Sequence, residues 1–286
     1  MGTRAARQRR AAVTGASTGI GEAFSERLAR DGWDLCLVAR RKARLEALAK
    51  RLRRAHGVRV QVFPADLTDP AALRALERHL ARDARLELLV NDAGMGDVGA
   101  FEGHDLELVD AEIRLNVLAV VRLTHAALRG MLRRRRGAVI NVSSTAAFQP
   151  FPYAATYGGT KAFLNSFREA LHEELRGSGV RVQSLCPGLT HTEIFTRAGA
   201  DVSGLPAFLW MEPKAVVAES LAALARGSAV CVPGFGNRAL ASLSRLVPHE
   251  VSGRVARVLM RPVKEGRRGT SARKAPSRTS VRARAK

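Results

Sequence analysis

The sequence predicts an α/β fold, a single doubly wound domain in which about seven parallel strands carry helices on both faces. Short apolar runs alternate along the chain with amphipathic helical patterns, which is typical of strand–helix–strand units. The first apolar run leads into a glycine-rich turn and then a helical pattern. Polar motifs follow several of the later runs, at the carboxyl strand ends where ligands bind in such sheets.

Seven apolar runs are predicted to be strands, and the segments between them are predicted to be mainly helical. The strands are expected over residues 11–13, 35–39, 58–63, 86–90, 138–142, 180–186 and 229–232. Long helices are expected over residues 42–54, 106–132 and 154–176. Another helix should begin at Pro70, because Asp69 is a good N-cap and proline suits the first helical turn.

Charge is concentrated at the two ends of this 286-residue chain, whose net charge is +21. Residues 264–286 alone hold nine basic residues and one acid. We therefore expect a basic N-terminal tail over residues 1–9, a domain over 10–262 and a basic, disordered tail over 263–286. Such ends can attract nucleic acid, anionic membranes or acidic proteins. A solubilising role is the favoured interpretation.

The cysteines indicate a reducing compartment. Cys36, Cys186 and Cys231 lie in separate apolar runs without metal-ligand spacing, so we expect buried reduced thiols, no metal site and a cytoplasmic location. No apolar run is expected to reach the length that spans a bilayer. The N-terminus lacks the apolar core of a secretory signal.

The stretch at residues 141–165 carries the main catalytic candidates. Tyr157 and Lys161 are four residues apart, so on a helix they lie on one face. A nearby ammonium group favours phenolate, so we expect Lys161 to lower the pKa of Tyr157 towards neutrality. Ser144 follows a predicted buried strand and can hydrogen-bond a carbonyl oxygen that Tyr157 protonates. The alternatives are that Tyr157 and Lys161 are a solvated pair on a helix surface and that Ser143-Ser144 is a strand end or a helix cap.

The glycine-rich turn at residues 14–21 predicts a phosphate site. Gly15, Gly19 and Gly21 let the backbone approach a pyrophosphate, and the following helix offers free N–H groups. The alternative is a glycine turn without a ligand. Arg40 follows the second strand, where an acid would favour NAD, and arginine suits the 2′-phosphate of NADP. Alternatively, Arg40 and Arg41 simply open the basic helix that follows.

In this order, these motifs resemble the short-chain dehydrogenase/reductase family over about residues 10–235. The resemblance rests on residues 14–21, Asp66-Leu67, residues 91–94, Asn116, Ser144, Tyr157 with Lys161, and Pro187-Gly188. It implies a single-domain Rossmann-type fold. The family usually has Asn-Asn-Ala-Gly where this chain has Asp92 as the second residue, and we expect a modest local effect.

The resemblance implies that Tyr157 is the general acid/base and that Ser144 polarises the substrate carbonyl. Lys161 would lower the pKa of Tyr157 and bind the nicotinamide ribose, and Asn116 would hold a relay water. A hydride would pass between nicotinamide C4 and the substrate carbon. With Arg40 and Thr18 added, the cofactor residues are expected to be Gly15, Ser17, Thr18, Gly19, Ile20, Gly21, Arg40, Asp66, Leu67, Asn91, Ala93, Gly94, Tyr157, Lys161, Pro187, Gly188, Thr190 and Thr192.

The sequence therefore predicts an NADP(H)-dependent oxidoreductase, with NAD less favoured. Residues 190–212 should form an apolar flap, which suggests an apolar lipid-, acyl- or steroid-like carbonyl substrate. Equally, those side chains can pack on the domain or on a partner subunit. The family suggests a homodimer or homotetramer through residues 106–132 and 154–176. The alternative functions are a non-catalytic dinucleotide-binding regulator and an enzyme that also binds membrane or nucleic acid through its basic tail.

Overall fold

A computed structural model describes residues 9–200, 202, 204–244, 247 and 249–259. Residues 1–8 and 260–286 lie outside the described residues, and with them nearly all of the two predicted basic tails. Arg9 is described, and its guanidinium carbon lies 4.4 Å from the centre of the Trp33 ring. This cation–π contact places the first described residue against the domain.

Seven parallel strands form one sheet, which confirms the predicted fold class. In chain order they are β1 (Arg10–Thr14), β2 (Asp34–Ala39), β3 (Val60–Pro64), β4 (Leu86–Asn91), β5 (Gly137–Val142), β6 (Val180–Leu185) and β7 (Val230–Cys231). Their order across the sheet is β3-β2-β1-β4-β5-β6-β7. Successive strands are added on one side of β1 up to β3 and on its other side from β4 to β7. The switch point, where doubly wound sheets bind ligands, therefore lies between β1 and β4.

Helices cover both faces of the sheet in the described part of the chain. They are α1 (Gly19–Arg30), α2 (Lys42–His56), α3 (Pro70–Arg82), α4 (Leu106–Ile113), α5 (Val120–Arg133), α6 (Ala155–Glu174), α7 (Ile194–Arg197), α8 (Pro213–Ala225), α9 (Phe235–Ser244) and α10 (His249–Leu259). The Asp69 carboxylate caps α3 by accepting hydrogen bonds from the N–H groups of Ala71 and Ala72, as predicted.

Two apolar cores hold the helices to the sheet. On one face α1, α2 and α8 contribute Phe24, Leu45 and Val216. On the other face α3 and α5 contribute Leu76 and Leu123. The central strands are apolar on both faces because both are covered, as expected for a parallel sheet. All three cysteines are buried free thiols.

The predicted long helix at residues 106–132 is interrupted by a π-helical turn. This turn, Arg114–Ala119, joins α4 to α5 and contains Asn116. Within the described residues, Leu106–Arg133 is long and apolar enough by composition to cross a membrane, so the expectation that no stretch reaches this length is corrected. Half of its apolar window is buried inside the domain, a property that core helices of soluble proteins share.

The last two described helices pack on the body of the domain. Ala241 and Ser244 of α9 are buried, and so are Ser252 and Ala256 of α10. Helix α9 contacts residues 145–148, next to Ser144. These helices therefore border the region in which the catalytic candidates lie.

Candidate active site

Ser144, Tyr157 and Lys161 come together where β5 ends and α6 begins. Ser144 follows the strand at extended backbone angles, and its hydroxyl accepts a hydrogen bond from the N–H of Ala146. Tyr157 lies in the first turn of α6 and Lys161 one turn later. The Ser144 hydroxyl is close enough to donate a hydrogen bond to the Tyr157 oxygen. The predicted side-by-side placement of serine and tyrosine is therefore present.

Two hydrogen bonds clamp α6 to the end of β5 at Lys161. Lys161 is only 5% exposed, and its ammonium group donates to the carbonyl oxygen of Val142 at 2.8 Å. The Ser143 hydroxyl donates to the carbonyl oxygen of Lys161 at 2.9 Å. This clamp fixes the rotation of the helix and therefore the direction in which Tyr157 points.

The pKa of Tyr157 is raised in this structure, whereas the sequence predicts that Lys161 lowers it. Although part of Tyr157 is accessible to solvent, desolvation raises the pKa of its phenol to about 12. The Ser144 hydroxyl opposes this shift, while the Glu112 and Asp92 carboxylates add to it. The ammonium nitrogen lies 5.4 Å from the centre of the Tyr157 ring. Tyr157 therefore holds its proton throughout the neutral range.

The pKa of Lys161 moves in the opposite direction, to about 8. Burial disfavours its charged form, and the Asp92 and Glu112 carboxylates partly compensate by favouring that form. Lys161 is consequently mainly charged at neutral pH and loses its charge in mildly alkaline solution.

Asn116 ties the π-helical turn to the neighbouring loop and to α6. Its amide nitrogen donates to the carbonyl oxygen of Met95 at 2.8 Å and to the Thr160 hydroxyl at 3.1 Å. Its amide oxygen accepts from the Met95 N–H at 3.0 Å. A methyl group at Gly94 would lie 3.3 Å from the Asn116 oxygen and 3.5 Å from the Lys161 nitrogen. The sequence-predicted Asn116 and Gly94 are thus beside the catalytic candidates, and the relay water stays a prediction.

The glycine-rich turn leaves the start of α1 open to an anion. Thr18 is the N-cap residue, but its side chain does not cap the helix. Gly15 has φ +71°, and a methyl group at Gly21 would lie 2.6 Å from the carbonyl oxygen of Gly15. Only glycine allows this close backbone approach, which brings the N-terminus of α1 to the switch point. The turn therefore fits a dinucleotide pyrophosphate. Ile20 packs into the core behind the turn.

Asp92 closes the back of the same turn. A methyl group at Gly15 would meet its carboxylate oxygen at 2.7 Å, and the N–H of Gly21 favours its ionised form. Desolvation nevertheless raises the pKa of Asp92 to about 7, with Lys161 the main opposing influence. Asp92, the residue that departs from the family pattern, therefore lies against the turn and changes its charge near neutral pH.

The Asn91 side chain hydrogen-bonds to a neighbouring strand and to a helix. It is 2% exposed, and its amide nitrogen donates to Asn141 on β5 and to Thr124 on α5. Its expected place lining the cofactor channel stays a prediction for its backbone. Thr14 links the neighbouring strand ends, because its hydroxyl accepts hydrogen bonds from the N–H groups of Asp92 and Ala93. These contacts hold Ala93 at the switch point.

Arg40 and Arg41, which follow β2, make different contacts. Arg40 is exposed and lies 3.8 Å from Asp66, whose carboxylate accepts hydrogen bonds from Thr68. Arg41 instead donates to the hydroxyls of Ser17 and Thr18, at 3.0 and 3.2 Å. The arginine that contacts the glycine-rich turn is therefore Arg41, which the sequence argument passed over in favour of Arg40. Leu67 is 5% exposed and belongs to the core.

Backbone hydrogen bonds join the start of the predicted flap to Met211 near its end. The N–H of Met211 donates to the carbonyl oxygen of Leu189, and the N–H of His191 donates to that of Met211. The Thr190 hydroxyl donates to the carbonyl oxygen of Gly188. Beyond it, Thr192 approaches the glycine-rich turn, since a methyl group at Gly19 would lie 2.8 Å from its methyl carbon. The predicted flap thus begins beside the predicted phosphate site.

Pro187 anchors the same loop to the catalytic region, because its carbonyl oxygen accepts a hydrogen bond from the N–H of Thr145. Across from it, Gly96 makes room for Tyr157, since a methyl group there would lie 2.8 Å from the phenol ring. Sequence reasoning missed Gly96, although it lies only two residues beyond Gly94 in the recognised motif.

The sequence profile described as short chain dehydrogenase matches residues 9–203. The chain belongs to the short-chain dehydrogenase family. Its members are oxidoreductases, and the sheet order and motif positions described above agree with that assignment. The serine 3-dehydrogenase of Agrobacterium fabrum, a curated relative, is 38% identical over 184 residues, which are 63% of this chain and 72% of that enzyme.

Solved structures of other dehydrogenases share the architecture. A short-chain dehydrogenase from Sphingobium yanoikuyae in complex with NADPH is 37% identical, with a TM-score of 0.77, and the match covers 90% of this chain and 97% of that one. The bulky-bulky ketone specific alcohol dehydrogenase from Comamonas testosteroni is 32% identical, with a TM-score of 0.74, and the match covers 84% and 93%.

The raised pKa of Asp92 predicts a pH-dependent stability. Between the usual pKa of an aspartate and about 7, the folded state binds a proton that the unfolded state has released, so stability falls as pH rises through this window. Asp92→Asn should reduce this fall in thermal unfolding scans between pH 5 and pH 8. Asp110→Asn, at an exposed carboxylate of α4, is the matched control. Equal slopes for wild type and Asp92→Asn would contradict the assignment.

Proposed function

We propose that this short-chain dehydrogenase is NADP(H)-dependent and interconverts an apolar ketone and the corresponding secondary alcohol. The placement of the Ser144 hydroxyl against the Tyr157 oxygen, one turn from buried Lys161, is the observation that carries this proposal. All three side chains lie at the carboxyl edge of the sheet, next to a glycine-rich turn that fits a pyrophosphate.

Each of these side chains has a separate role in the proposed reaction. The bound nicotinamide supplies the hydride in reduction and accepts it in oxidation. Tyr157, which keeps its proton at neutral pH, donates that proton to the carbonyl oxygen. Ser144 hydrogen-bonds the same oxygen and orients it. The Lys161 ammonium group would bind the nicotinamide ribose, and Asn116 would hold the water that links Lys161 to the relay.

Two arginines support NADP as the cofactor. Arg41 contacts the turn that would hold the adenosine phosphates, and Arg44 lies one turn into α2 on the same side. Both donate to the Glu193 carboxylate of the flap, at 3.0 and 2.6 Å, and lower its pKa to about 2. A 2′-phosphate at this position would accept charge-assisted hydrogen bonds from the same guanidinium groups. Arg40, beside Asp66, is a second candidate for the adenosine end.

The flap supports a bulky, apolar substrate. Trp210 stacks on His191 with ring centres 4.8 Å apart, and the Phe195 ring meets it edge-on at 5.2 Å. Phe208 is 84% exposed and Leu209 is 40% exposed. An apolar lining of this kind suits lipid-, acyl- or steroid-like carbonyl compounds, and the Comamonas relative is named for bulky ketones.

Apolar side chains on α4 to α6 support an oligomer. Ile113, Leu118 and Phe163 are each more than 40% exposed on these neighbouring segments. Phe163 also stacks on Phe167, with ring centres 5.8 Å apart. Exposed patches of this kind mark subunit interfaces, so we propose a homodimer or homotetramer through this face.

Replacing the phenol tests the assigned chemistry. Tyr157→Phe should lower turnover by at least about 100-fold, because general acid catalysis contributes about 10² to 10⁴, while the Kd for NADPH should change by less than about threefold. The assay is NADPH oxidation against a steroid ketone, a diaryl ketone, a long-chain 3-oxoacyl thioester and a small polar aldehyde. Tyr153→Phe alters the one other tyrosine of the chain and is the matched control.

Retained turnover in Tyr157→Phe would reject the role of the phenol. Tight NADPH binding by the wild type without turnover of any panel compound would instead support the non-catalytic regulator. A preference for the small polar aldehyde would reject the apolar substrate.

Replacing each arginine separately tests the cofactor preference. Arg41→Ala should raise the Kd for NADPH by about tenfold or more, since hydrogen bonds to charged groups contribute about 1.5–3 kcal/mol. The Kd for NADH should change little, because NADH has no 2′-phosphate. A larger selective effect of Arg40→Ala would assign the 2′-phosphate to Arg40. Equal losses for NADPH and NADH in both variants would contradict an NADP-specific site.

Sedimentation velocity tests the oligomer. The wild type should sediment as a dimer or tetramer, and Phe163→Glu should shift it towards monomer because a carboxylate resists burial at an apolar interface. Phe208→Glu, on the flap, is the matched control and should leave the sedimentation coefficient unchanged. A monomeric wild type would refute this interface.

A further inference from the structure

One carboxylate of the flap is bound by three arginine side chains. Glu193 directly precedes α7, and its Oε1 atom accepts a hydrogen bond from Arg44 at 2.6 Å. Its Oε2 atom accepts one from Arg41 at 3.0 Å and another from Arg197 of α7. Both oxygens are therefore held by guanidinium groups. Two of the three arginines belong to the segment after β2, far from Glu193 along the chain.

Arg41 joins this carboxylate to the glycine-rich turn. One terminal nitrogen of its guanidinium group donates to Glu193, while the other donates to the hydroxyls of Ser17 and Thr18. Thr192, the residue before Glu193, also approaches this turn. The start of the flap is therefore fastened beside the place where the adenosine phosphates of a dinucleotide are proposed to bind.

The three guanidinium groups carry more positive charge than Glu193 neutralises. They supply three positive charges against one negative charge. Hydrogen bonds from Arg44 and Arg41 hold the pKa of Glu193 at about 2, so its carboxylate is ionised throughout the neutral range. The Glu193 side chain is 42% exposed, so an anion can reach the cluster from solvent. A phosphate there would accept the same charge-assisted hydrogen bonds and carries more charge than a carboxylate.

We propose that Glu193 occupies the place of the 2′-phosphate, so that NADPH displaces it from Arg41 and Arg44 and frees the start of the flap. This role depends on the proposed NADP(H) specificity. Two anions repel each other when they compete for the same donors, and such a repulsive element sets specificity as effectively as an attractive one. Glu193 is thus a specificity-determining residue that reduces the advantage of NADPH over NADH, because NADH brings no 2′-phosphate to these arginines.

The aromatic side chains of the flap connect Glu193 to the region that would cover the substrate. Phe195, two residues after Glu193, meets the Trp210 ring edge-on, and His191, two residues before Glu193, stacks on the same ring. Trp210 is therefore held by residues on both sides of Glu193. Release of Glu193 should loosen these contacts, and by reciprocity a flap that is already released should bind the 2′-phosphate more tightly.

Fluorescence titrations with NADPH and NADH test the competition. Glu193→Gln removes the competing charge, so the Kd for NADPH should fall by about threefold or more, because the exposed ion pairs no longer have to be broken. The Kd for NADH should change by less than about 1.5-fold. Glu212→Gln removes the same charge at the other end of the flap and is the matched control. An unchanged or raised Kd for NADPH in Glu193→Gln would overturn the proposal.

A double-mutant cycle with Arg44→Ala tests whether Glu193 and the phosphate compete for the same donors. In the Arg44→Ala background, Glu193→Gln should gain less affinity for NADPH than it does in the wild type, since one of the contacts to be broken is already absent. An equal gain in both backgrounds would assign the effect to long-range repulsion and would overturn the displacement.

Acrylamide quenching of Trp210 tests the release of the flap. Trp33→Phe leaves Trp210 as the single tryptophan of the chain, and adenosine 2′,5′-bisphosphate supplies the 2′-phosphate without a nicotinamide ring. Saturation with this probe should raise the quenching constant by about 1.5-fold or more, as expected for a local opening. Glu193→Gln should show the raised constant without the probe. A constant that neither the probe nor Glu193→Gln changes would overturn the link to the flap.

The cofactor preference of the wild type separates a failure of this role from a failure of the proposed function. If neither the wild type nor Glu193→Gln binds NADPH more tightly than NADH, the NADP site is rejected, and the displacement with it. If the wild type prefers NADPH, Arg41→Ala loses that preference and Glu193→Gln leaves both Kd values unchanged, only the role of Glu193 is rejected.

Discussion

Burial of the Lys161 ammonium group is the constraint on which the catalytic arrangement depends. The carbonyl oxygen of Val142 hydrogen-bonds it, and the Asp92 and Glu112 carboxylates favour its charged form from two sides. Because a buried ion needs such partners, the hydrogen bond to Val142 favours the observed rotation of α6 on the end of β5. That rotation places Tyr157 against Ser144. Desolvation, with a smaller contribution from the same carboxylates, raises the pKa of Tyr157, so the structure holds a protonated phenol beside a marginally charged amine.

The fold and most of the motif positions could be predicted from the sequence because they depend on local patterns. Apolar runs alternate with amphipathic helices, and the glycine-rich turn, Asn116 and the residues around Ser144 follow recognisable spacings. The strand predictions agree with the observed strands to within a few residues, and Asp69 caps α3 as its sequence context indicates. The order of strands across the sheet follows from the rules of parallel α/β folds.

The electrostatics of the site could not be predicted, because they depend on burial and on contacts between distant segments. The spacing of Tyr157 and Lys161 suggested a lowered phenol pKa, but desolvation and two carboxylates outweigh any such effect. Helix geometry turns Arg41, rather than its neighbour Arg40, towards the glycine-rich turn. Glu112 gave no sequence signal, since a glutamate in a helix is usually exposed.

A crystal structure of the complex with NADPH is the most direct test of the central claim, that Lys161 fixes Tyr157 and Ser144 beside the reacting carbon. We expect the Tyr157 oxygen next to nicotinamide C4, the Ser144 hydroxyl within hydrogen-bonding distance of that oxygen, and the Lys161 ammonium group on the nicotinamide ribose. A nicotinamide ring remote from Tyr157, or a phenol that points into solvent, would contradict it.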